Sequence, residues 1–319
     1  MAAFVYHGSM RGISEFRFAS MSKFVRDTNQ KLQEPLAIPE YATAGEAEPA
    51  KQVSDVIREK PYQLRSDVHE VIKNQEQRFQ SGTLRPVPYE EYPELYRAAQ
   101  FTMEVASQFA NLDVLIQIYR EKSLGDKFQA LAVSYLNKGW LFISERFFMH
   151  PNTGMLQGAE VCFLLGHELG HAQCRHTSIK LLTKQELGSN VEYSADRAGL
   201  IVCAKWLLRQ QSESGVEALI DRAVLCGIAT LKKIDLAYQG FYEWKKFDYD
   251  ELAAQLKTWR SAPKKLAADG VTHPVDERRG LAMYYFSQSE MFRRLLGLEP
   301  LPGLLTDELL RDLMNTLLK

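Results

Sequence analysis

The chain has 319 residues, which is enough for a large hydrophobic core and one or two domains. Its 45% apolar and 25% charged content is that of an ordinary soluble globular protein. With 39 basic and 40 acidic residues, the formal net charge is −1, so the basic excess of nucleic-acid or anionic-membrane binders is absent. No run approaches the roughly 18 apolar residues of a membrane-spanning helix, and residues 1–21 lack the apolar core of a secretory signal. We therefore expect a cytoplasmic protein without a nucleic-acid partner or transmembrane segment.

The four cysteines, Cys162, Cys174, Cys203 and Cys226, all lie in apolar helical contexts without a CxxC pair. This pattern predicts buried thiols in a reducing compartment, rather than disulfides or zinc ligands.

The N-terminal part of the chain divides into three predicted segments. Residues 1–20 carry the Gly-Ser and Glu-Phe dipeptides of expression-vector leaders, and we expect a leader or a disordered stretch there. Residues 34–51 are rich in Ala, Pro and Glu without periodicity, which indicates a linker or a loosely held arm. Helical periodicity follows at 52–60 and 64–80, so 21–89 is predicted to be an N-terminal helical extension.

A small sheet is predicted after a further helix at 90–110. Three short runs rich in β-branched and aromatic residues are bounded by turn residues, namely 114–119, 130–135 and 140–144. We expect them to form a small, mostly antiparallel sheet.

The remaining chain has almost continuous helical periodicity, at 157–177, 187–210, 215–237, 249–260, 276–297 and 305–318. A small sheet followed by many helices predicts the α+β class. We assign one domain to 90–298 and a separate C-terminal helix to 299–319.

The most informative motif is His167-Glu168-Leu169-Gly170-His171, at the end of an apolar helical stretch. Two histidines four residues apart lie about 40° apart around a helix, so both imidazoles can reach one ion. Glu168 is rotated by about 100° from His167, which directs its carboxylate to a water beside the ion rather than to the ion. The alternative interpretation is a helix with two surface histidines and a capping-type glutamate.

A catalytic zinc site has three protein ligands and one open position. A third histidine on the same segment would have to occupy position 177, which is Thr177. His176 comes one residue early, about 140° around the helix from His171, so we expect a surface or supporting group rather than a ligand.

The following helix offers a carboxylate as third ligand. Glu192 and Asp196 are four residues apart on one helical face, so Glu192 can bind zinc while Asp196 accepts a hydrogen bond from a liganding imidazole. Glu186 is a competing ligand without such a partner. The alternative is that Glu192 and Asp196 form a solvated face paired with Arg197.

An isolated histidine, His273, precedes Pro274 at a predicted helix start. It is a candidate donor to the oxyanion that forms during hydrolysis. By itself, a His-Pro pair more commonly marks only the beginning of a helix.

Together, the HELGH motif, Glu192-x-x-x-Asp196, and His273-Pro274 followed by Arg279 resemble one peptidase family. It is the gluzincin metallopeptidases of the CAAX prenyl endoprotease and HtpX kind, peptidase family M, number forty-eight. The resemblance covers about 95–290. Because the membrane helices of those two branches have no counterpart, the chain looks like a soluble branch.

The resemblance implies a zincin-like catalytic domain with a role for each matching residue. Zn²⁺ would bind His167, His171 and Glu192, with Glu168 as general base. Asp196 would orient a ligand, His273 would stabilise the oxyanion, and Arg279 would support His273 or the surroundings of Glu168. The strand with Trp140, Leu141, Phe142 and Ile143 would be the substrate-aligning edge strand.

The predicted function is therefore a zinc metalloendopeptidase that acts on a peptide or protein substrate, held extended along the strand at 140–144. Two alternatives stay open. One is a regulatory protease that cleaves a single partner. The other is a non-catalytic, zinc-stabilised protein that binds peptides.

Overall fold

The computed structural model describes residues 38–59, 61–108, 112–121, 130–135, 138–148, 156, 158–183, 190–210, 215–238, 247–261 and 276–317. The predicted leader at 1–20, Glu186 and His273-Pro274 lie outside these residues.

The described chain is mostly helical with a small sheet, which confirms the α+β class. The strands are β1 (Leu84–Pro86), β2 (Asp113–Glu121), β3 (Ala130–Tyr135) and β4 (Lys138–Ser144). The α-helices are α1 (Ala47–Glu59), α2 (Pro61–Gln80), α3 (Pro93–Ala106), α4 (Ala159–Gln173), α5 (His176–Thr183), α6 (Asn190–Gln210), α7 (Val216–Tyr238), α8 (Tyr249–Ser261), α9 (Asp276–Ser287), α10 (Glu290–Leu296) and α11 (Asp307–Leu317). None of these described helices is both long and apolar enough to cross a membrane.

The described sheet is mixed: two of its three strand pairs are antiparallel and one is parallel. Its strand order is β1-β2-β4-β3, with antiparallel β1-β2 and β3-β4 pairs around a parallel β2-β4 pair. The parallel ladder runs from Asp113↔Lys138 to Tyr119↔Ser144. Strand periodicity reveals the strands but not their order, so the sequence could not show that β4 lies between β2 and β3.

Helices cover both faces of the sheet because successive strand residues point to opposite sides. Leu141 and Ile143 pack with residues of α3 and α4 on one face. Trp140 and Phe142 pack on the other face with residues of α1, α2 and α5, including Ile72. Burial on both faces explains why β4 has a continuous apolar sequence.

The prediction that the strand at 140–144 receives the substrate is wrong. β4 pairs with β2 on one side and with β3 on the other, so its backbone cannot add a further strand. Its side chains at Trp140, Leu141, Phe142 and Ile143 are all buried. An apolar run buried on both faces is typical of a central strand, and the edge strands of the described sheet are β1 and β3.

Helices α4 and α6 cross at close range because glycines face each other at the contact. A Cβ added to Gly170 would lie 2.7 Å from the Ala195 Cα, and one on Gly166 would lie 2.9 Å from the Gly199 Cα. A Cβ on Gly199 would lie 2.8 Å from the Phe163 carbonyl oxygen. The absence of side chains at these positions lets the two backbones approach each other.

The segment at 38–46 is an integral part of the structure, not a loose arm. Tyr41 and Glu46 are buried, and the Arg197 guanidinium donates to the Tyr41 carbonyl at 2.9 Å. The Thr43 backbone N–H donates to the Ser194 hydroxyl at 2.9 Å. Because polar contacts with α6 help to hold this segment, its attachment leaves no apolar periodicity in the sequence.

Two predicted helices are interrupted. The helix expected at 157–177 ends at Gln173, and Arg175 has a left-handed φ of 64° that redirects the chain into α5. The helix expected at 276–297 is divided before α10, where the Ser289 hydroxyl accepts the Phe292 N–H at 3.1 Å. Glycine is the usual residue in left-handed conformation, so an arginine gives no sequence signal of a break.

We predict that Gly170→Ala destabilises the protein by about 1–2 kcal/mol, because overpacking against backbone outweighs the helix propensity gained, about 1 kcal/mol. Urea unfolding measures this loss. Gly45→Ala is the control, since its added Cβ would meet only the Asn190 side-chain nitrogen, at 3.3 Å. Equal stability of the Gly170→Ala variant and the wild type would contradict the close-crossing argument.

Candidate metal centre

Helices α4 and α6 bring three potential metal ligands to one point. The Nε2 atoms of His167 and His171 are 3.1 Å apart. The Glu192 Oε2 lies 3.6 Å from His167 Nε2, and its Oε1 lies 3.7 Å from His171 Nε2. Ligand atoms on a tetrahedral zinc ion, at about 2.0–2.1 Å from it, are about 3.3 Å from each other. The three side chains therefore fit one zinc-sized cation.

The remaining ring nitrogen of His167 is held by a buried carboxylate. Asp196 Oδ1 lies 3.0 Å from His167 Nδ1. Arg279 on α9 donates from Nε to Asp196 Oδ2 at 2.7 Å and from Nη2 to Oδ1 at 2.6 Å. The same Nη2 lies 3.5 Å from Glu192 Oε2. Arg279 thus compensates the charge of two buried carboxylates, Asp196 and Glu192. The resemblance implied instead that Arg279 supports His273 or the surroundings of Glu168.

The remaining ring nitrogen of His171 contacts His176, for which the sequence predicts a surface or supporting group rather than a ligand. His176 Nδ1 lies 2.7 Å from His171 Nδ1, and His176 is buried rather than on the surface. The left-handed turn at Arg175 brings His176 back beside α4. On the other side, His176 Nε2 lies 3.4 Å from Glu46 Oε2. No signal in the sequence linked Glu46 to a motif about 120 residues later.

Burial and neighbouring charges set the protonation of the imidazoles. Burial lowers the pKa of His171 well below its usual value, so this ring is neutral and able to bind a cation. Burial also lowers the pKa of His167, but the hydrogen bond and charge of Asp196 outweigh it and leave the pKa raised. Cation binding at the site therefore competes with a proton on His167.

Glu168 lies beside the three ligands and is partly exposed. Burial and, to a smaller extent, the Glu192 carboxylate raise the pKa of its carboxyl group to about 7, against the lowering effect of His167 and Arg279. A cation bound to His167 and His171 would counteract this rise.

The ligands open onto a cleft of about 1040 Å³. Its walls come from β3, α4, α7 and α9, and Glu168 and His171 lie among the lining residues. β3 contributes Ala130, Leu131 and Ala132, whereas residues 140–143 of β4 are not among the described lining residues. The sheet edge beside the ligands is therefore that of β3.

Part of this edge is already occupied by α5. Thr177 Oγ1 donates to the Ala132 carbonyl, and Ser178 Oγ donates to the Ser134 carbonyl at 2.8 Å. Alternate residues of an edge strand direct their backbone groups outward, so these two carbonyls lie on the free side of β3. Ala130 is the next residue with the same orientation.

A second group of potential ligand atoms lies behind the first. Glu46, Cys174 and His176 each offer one atom within 4.8 Å of the others, and all three residues are buried. The four cysteines are free and buried, as the sequence predicted. Cys174 nevertheless lies next to the polar groups of Glu46 and His176. Burial and the nearby Glu46 carboxylate both raise the pKa of its thiol.

Comparisons of the chain with protein-family models, with curated proteins and with solved structures give no significant match.

We predict that Arg279→Leu destabilises the protein by about 3–5 kcal/mol, because it leaves the buried Asp196 carboxylate without its cation. Urea unfolding in the presence of a metal chelator measures this loss without a contribution from bound metal. Arg278→Leu is the matched control, since the neighbouring Arg278 is only half-buried and its loss should cost about 1 kcal/mol or less. Equal losses in the two variants would contradict the assigned role of Arg279.

Proposed function

We propose that the protein is a zinc-dependent endopeptidase with a zincin-like catalytic domain. The observation that carries the proposal is the convergence of His167, His171 and Glu192 within 3.7 Å, at the wall of a cleft that also contains Glu168. A purely structural zinc site usually has four protein ligands, whereas three ligands beside a cleft leave a position for water or substrate.

The donor set favours zinc over the harder divalent cations. Two imidazole nitrogens and one carboxylate are typical ligands of catalytic zinc, while Mg²⁺ and Ca²⁺ prefer oxygen donors. When bound, zinc would polarise the scissile carbonyl and make water a nucleophile near neutral pH. Asp196 supports this set by accepting the Nδ1 proton of His167, which leaves Nε2 free to ligate.

Glu168 is the proposed general base. It follows His167 on α4, so its side chain diverges from the ligand direction and is exposed to the cleft. From there the carboxylate can take a proton from the attacking water and transfer it to the leaving amine. His273 stays a predicted oxyanion donor.

The edge of β3 is the proposed substrate-binding strand in place of β4. The cleft adjoins Ala130, Leu131 and Ala132, and an extended peptide can pair with the outward-facing backbone groups of an edge strand. Thr177 and Ser178 occupy the carbonyls of Ala132 and Ser134, so pairing is expected mainly at Ala130 and at the Ala132 N–H. The substrate would thus lie beside Glu168.

We predict that Glu168→Gln retains zinc and lowers the rate of peptide hydrolysis by about 10²-fold or more, the effect of losing a general base. Casein hydrolysis by the zinc-loaded protein and metal content after dialysis are the two measurements. Glu192→Gln is the matched control, because removal of a ligand charge should reduce zinc content as well as activity. A chelator should abolish wild-type hydrolysis, and added zinc should restore it.

Two results would contradict different parts of this proposal. Full activity of Glu168→Gln would show that Glu168 is not the base. Zinc binding by the wild type without hydrolysis of casein or of a peptide library would favour the non-catalytic peptide-binding alternative.

A further inference from the structure

The two liganding imidazoles are supported in different ways. His167 has the expected carboxylate partner, Asp196, on its Nδ1. His171 instead has a second imidazole, that of His176, at 2.7 Å from its Nδ1. Two ring nitrogens at this distance share one proton, so one must donate and the other accept.

Metal binding determines the direction of this hydrogen bond. A neutral His171 that ligates through Nε2 carries its proton on Nδ1, so it must donate to His176 Nδ1. A neutral His176 that accepts at Nδ1 carries its own proton on Nε2. That proton then requires an acceptor on the far side of the His176 ring.

Glu46 is the acceptor that the fold supplies. Its Oε2 lies 3.4 Å from His176 Nε2, and neither atom has a hydrogen-bond partner within the described part of the chain. Both side chains are buried, with 3% of each exposed. A buried donor or acceptor left unpaired loses its hydrogen bonds to water without replacement, which favours the pairing of these two atoms with each other.

The Glu46 carboxylate is held in position by its other oxygen. Ser194 Oγ donates to Glu46 Oε1 at 2.5 Å, and Thr43 Oγ1 donates to the same oxygen at 3.2 Å. Ser194 lies on α6 between the proposed ligand Glu192 and its neighbour Asp196. The helix that carries the carboxylate ligand therefore also orients Glu46.

We propose that Glu46 and His176 form a positioning relay that keeps the His171 proton on Nδ1 and its Nε2 directed at the metal. The inference rests on the proposed zinc centre and deepens it. In this proposal the N-terminal segment at 38–46 belongs to the zinc centre, because Glu46 reaches His171 through His176. Glu46 and His176 act through His171 and are not catalytic residues.

The same three residues, Glu46, Cys174 and His176, could instead bind a second ion. This would use His176 Nε2 as a ligand and move the ring proton to Nδ1, where it would face the His171 Nδ1 proton. Two donors at 2.7 Å repel each other, so a second ion and the first compete for the same proton arrangement. The relay predicts one zinc ion per chain.

The test is zinc affinity, measured by competition with a chromophoric chelator, together with zinc stoichiometry. Glu46→Met and His176→Phe should each weaken zinc binding by about 10–100-fold, the usual effect of losing the support of a ligand. Glu46→Gln and His176→Asn keep an acceptor in a similar place and should restore part of the affinity. Each variant's urea midpoint is measured in parallel, so that loss of the fold is recognised.

Glu40→Met is the matched control for Glu46→Met. Glu40 belongs to the same segment, but it is exposed and pairs with Arg294. Its replacement should leave zinc affinity unchanged.

Imidazole ¹⁵N NMR of the zinc-loaded protein gives an independent readout. It should show the proton of His171 on Nδ1 and that of His176 on Nε2. In Glu46→Met, the His176 Nε2–H loses its carboxylate acceptor, so its ¹⁵N and ¹H signals should shift and its proton should exchange faster with solvent.

The outcomes separate the two proposals. One zinc ion per wild-type chain with unchanged affinity in Glu46→Met and His176→Phe would overturn the relay and leave the zinc centre intact. Two zinc ions, one of which both variants lose, would overturn the relay in favour of a second metal site. No zinc binding by the wild type would overturn the zinc centre, and the relay with it.

Discussion

The close crossing of α4 and α6 is the constraint on which the candidate site depends. Gly166 and Gly170 on one helix and Gly199 on the other remove the side chains that would keep the backbones apart. The crossing sets both imidazoles of α4 against the carboxylates of α6, at distances that a single cation can span. Gly170 lies inside the HELGH motif, so the motif provides helix packing as well as ligands.

The site also places several charged groups away from water. Such groups are tolerated only where each has a partner. Arg279 pairs with Asp196 and lies close to Glu192, which links α9 to α6. The hydroxyl groups of Thr43 and Ser194 both donate hydrogen bonds to Glu46. The polar connections therefore extend through several helices and reach the N-terminal segment, whose Tyr41 also packs in the hydrophobic core.

Local patterns in the sequence predicted local features. Periodicity gave most of the helices and three of the four strands of the described sheet, and helical spacing gave the facing positions of His167 and His171 as well as those of Glu192 and Asp196. Long-range features had no such signal. Strand order, the left-handed Arg175 and the arrival of Glu46 beside His176 all depend on tertiary packing. By its place before the motif, the run at 140–144 resembles the family's edge strand, whereas its apolar continuity is the sign of the central strand that β4 is.

The hydroxyl groups of Thr177 and Ser178 on α5 limit the pairing of a second chain with the edge of β3. An unprotected sheet edge is a template on which a second chain can grow. Thr177 and Ser178 occupy two successive outward carbonyls of β3, which shortens the template to a stretch too small for stable edge-to-edge association. What remains accessible adjoins the Glu168 carboxylate, so a foreign strand that docked there would meet the proposed hydrolytic groups.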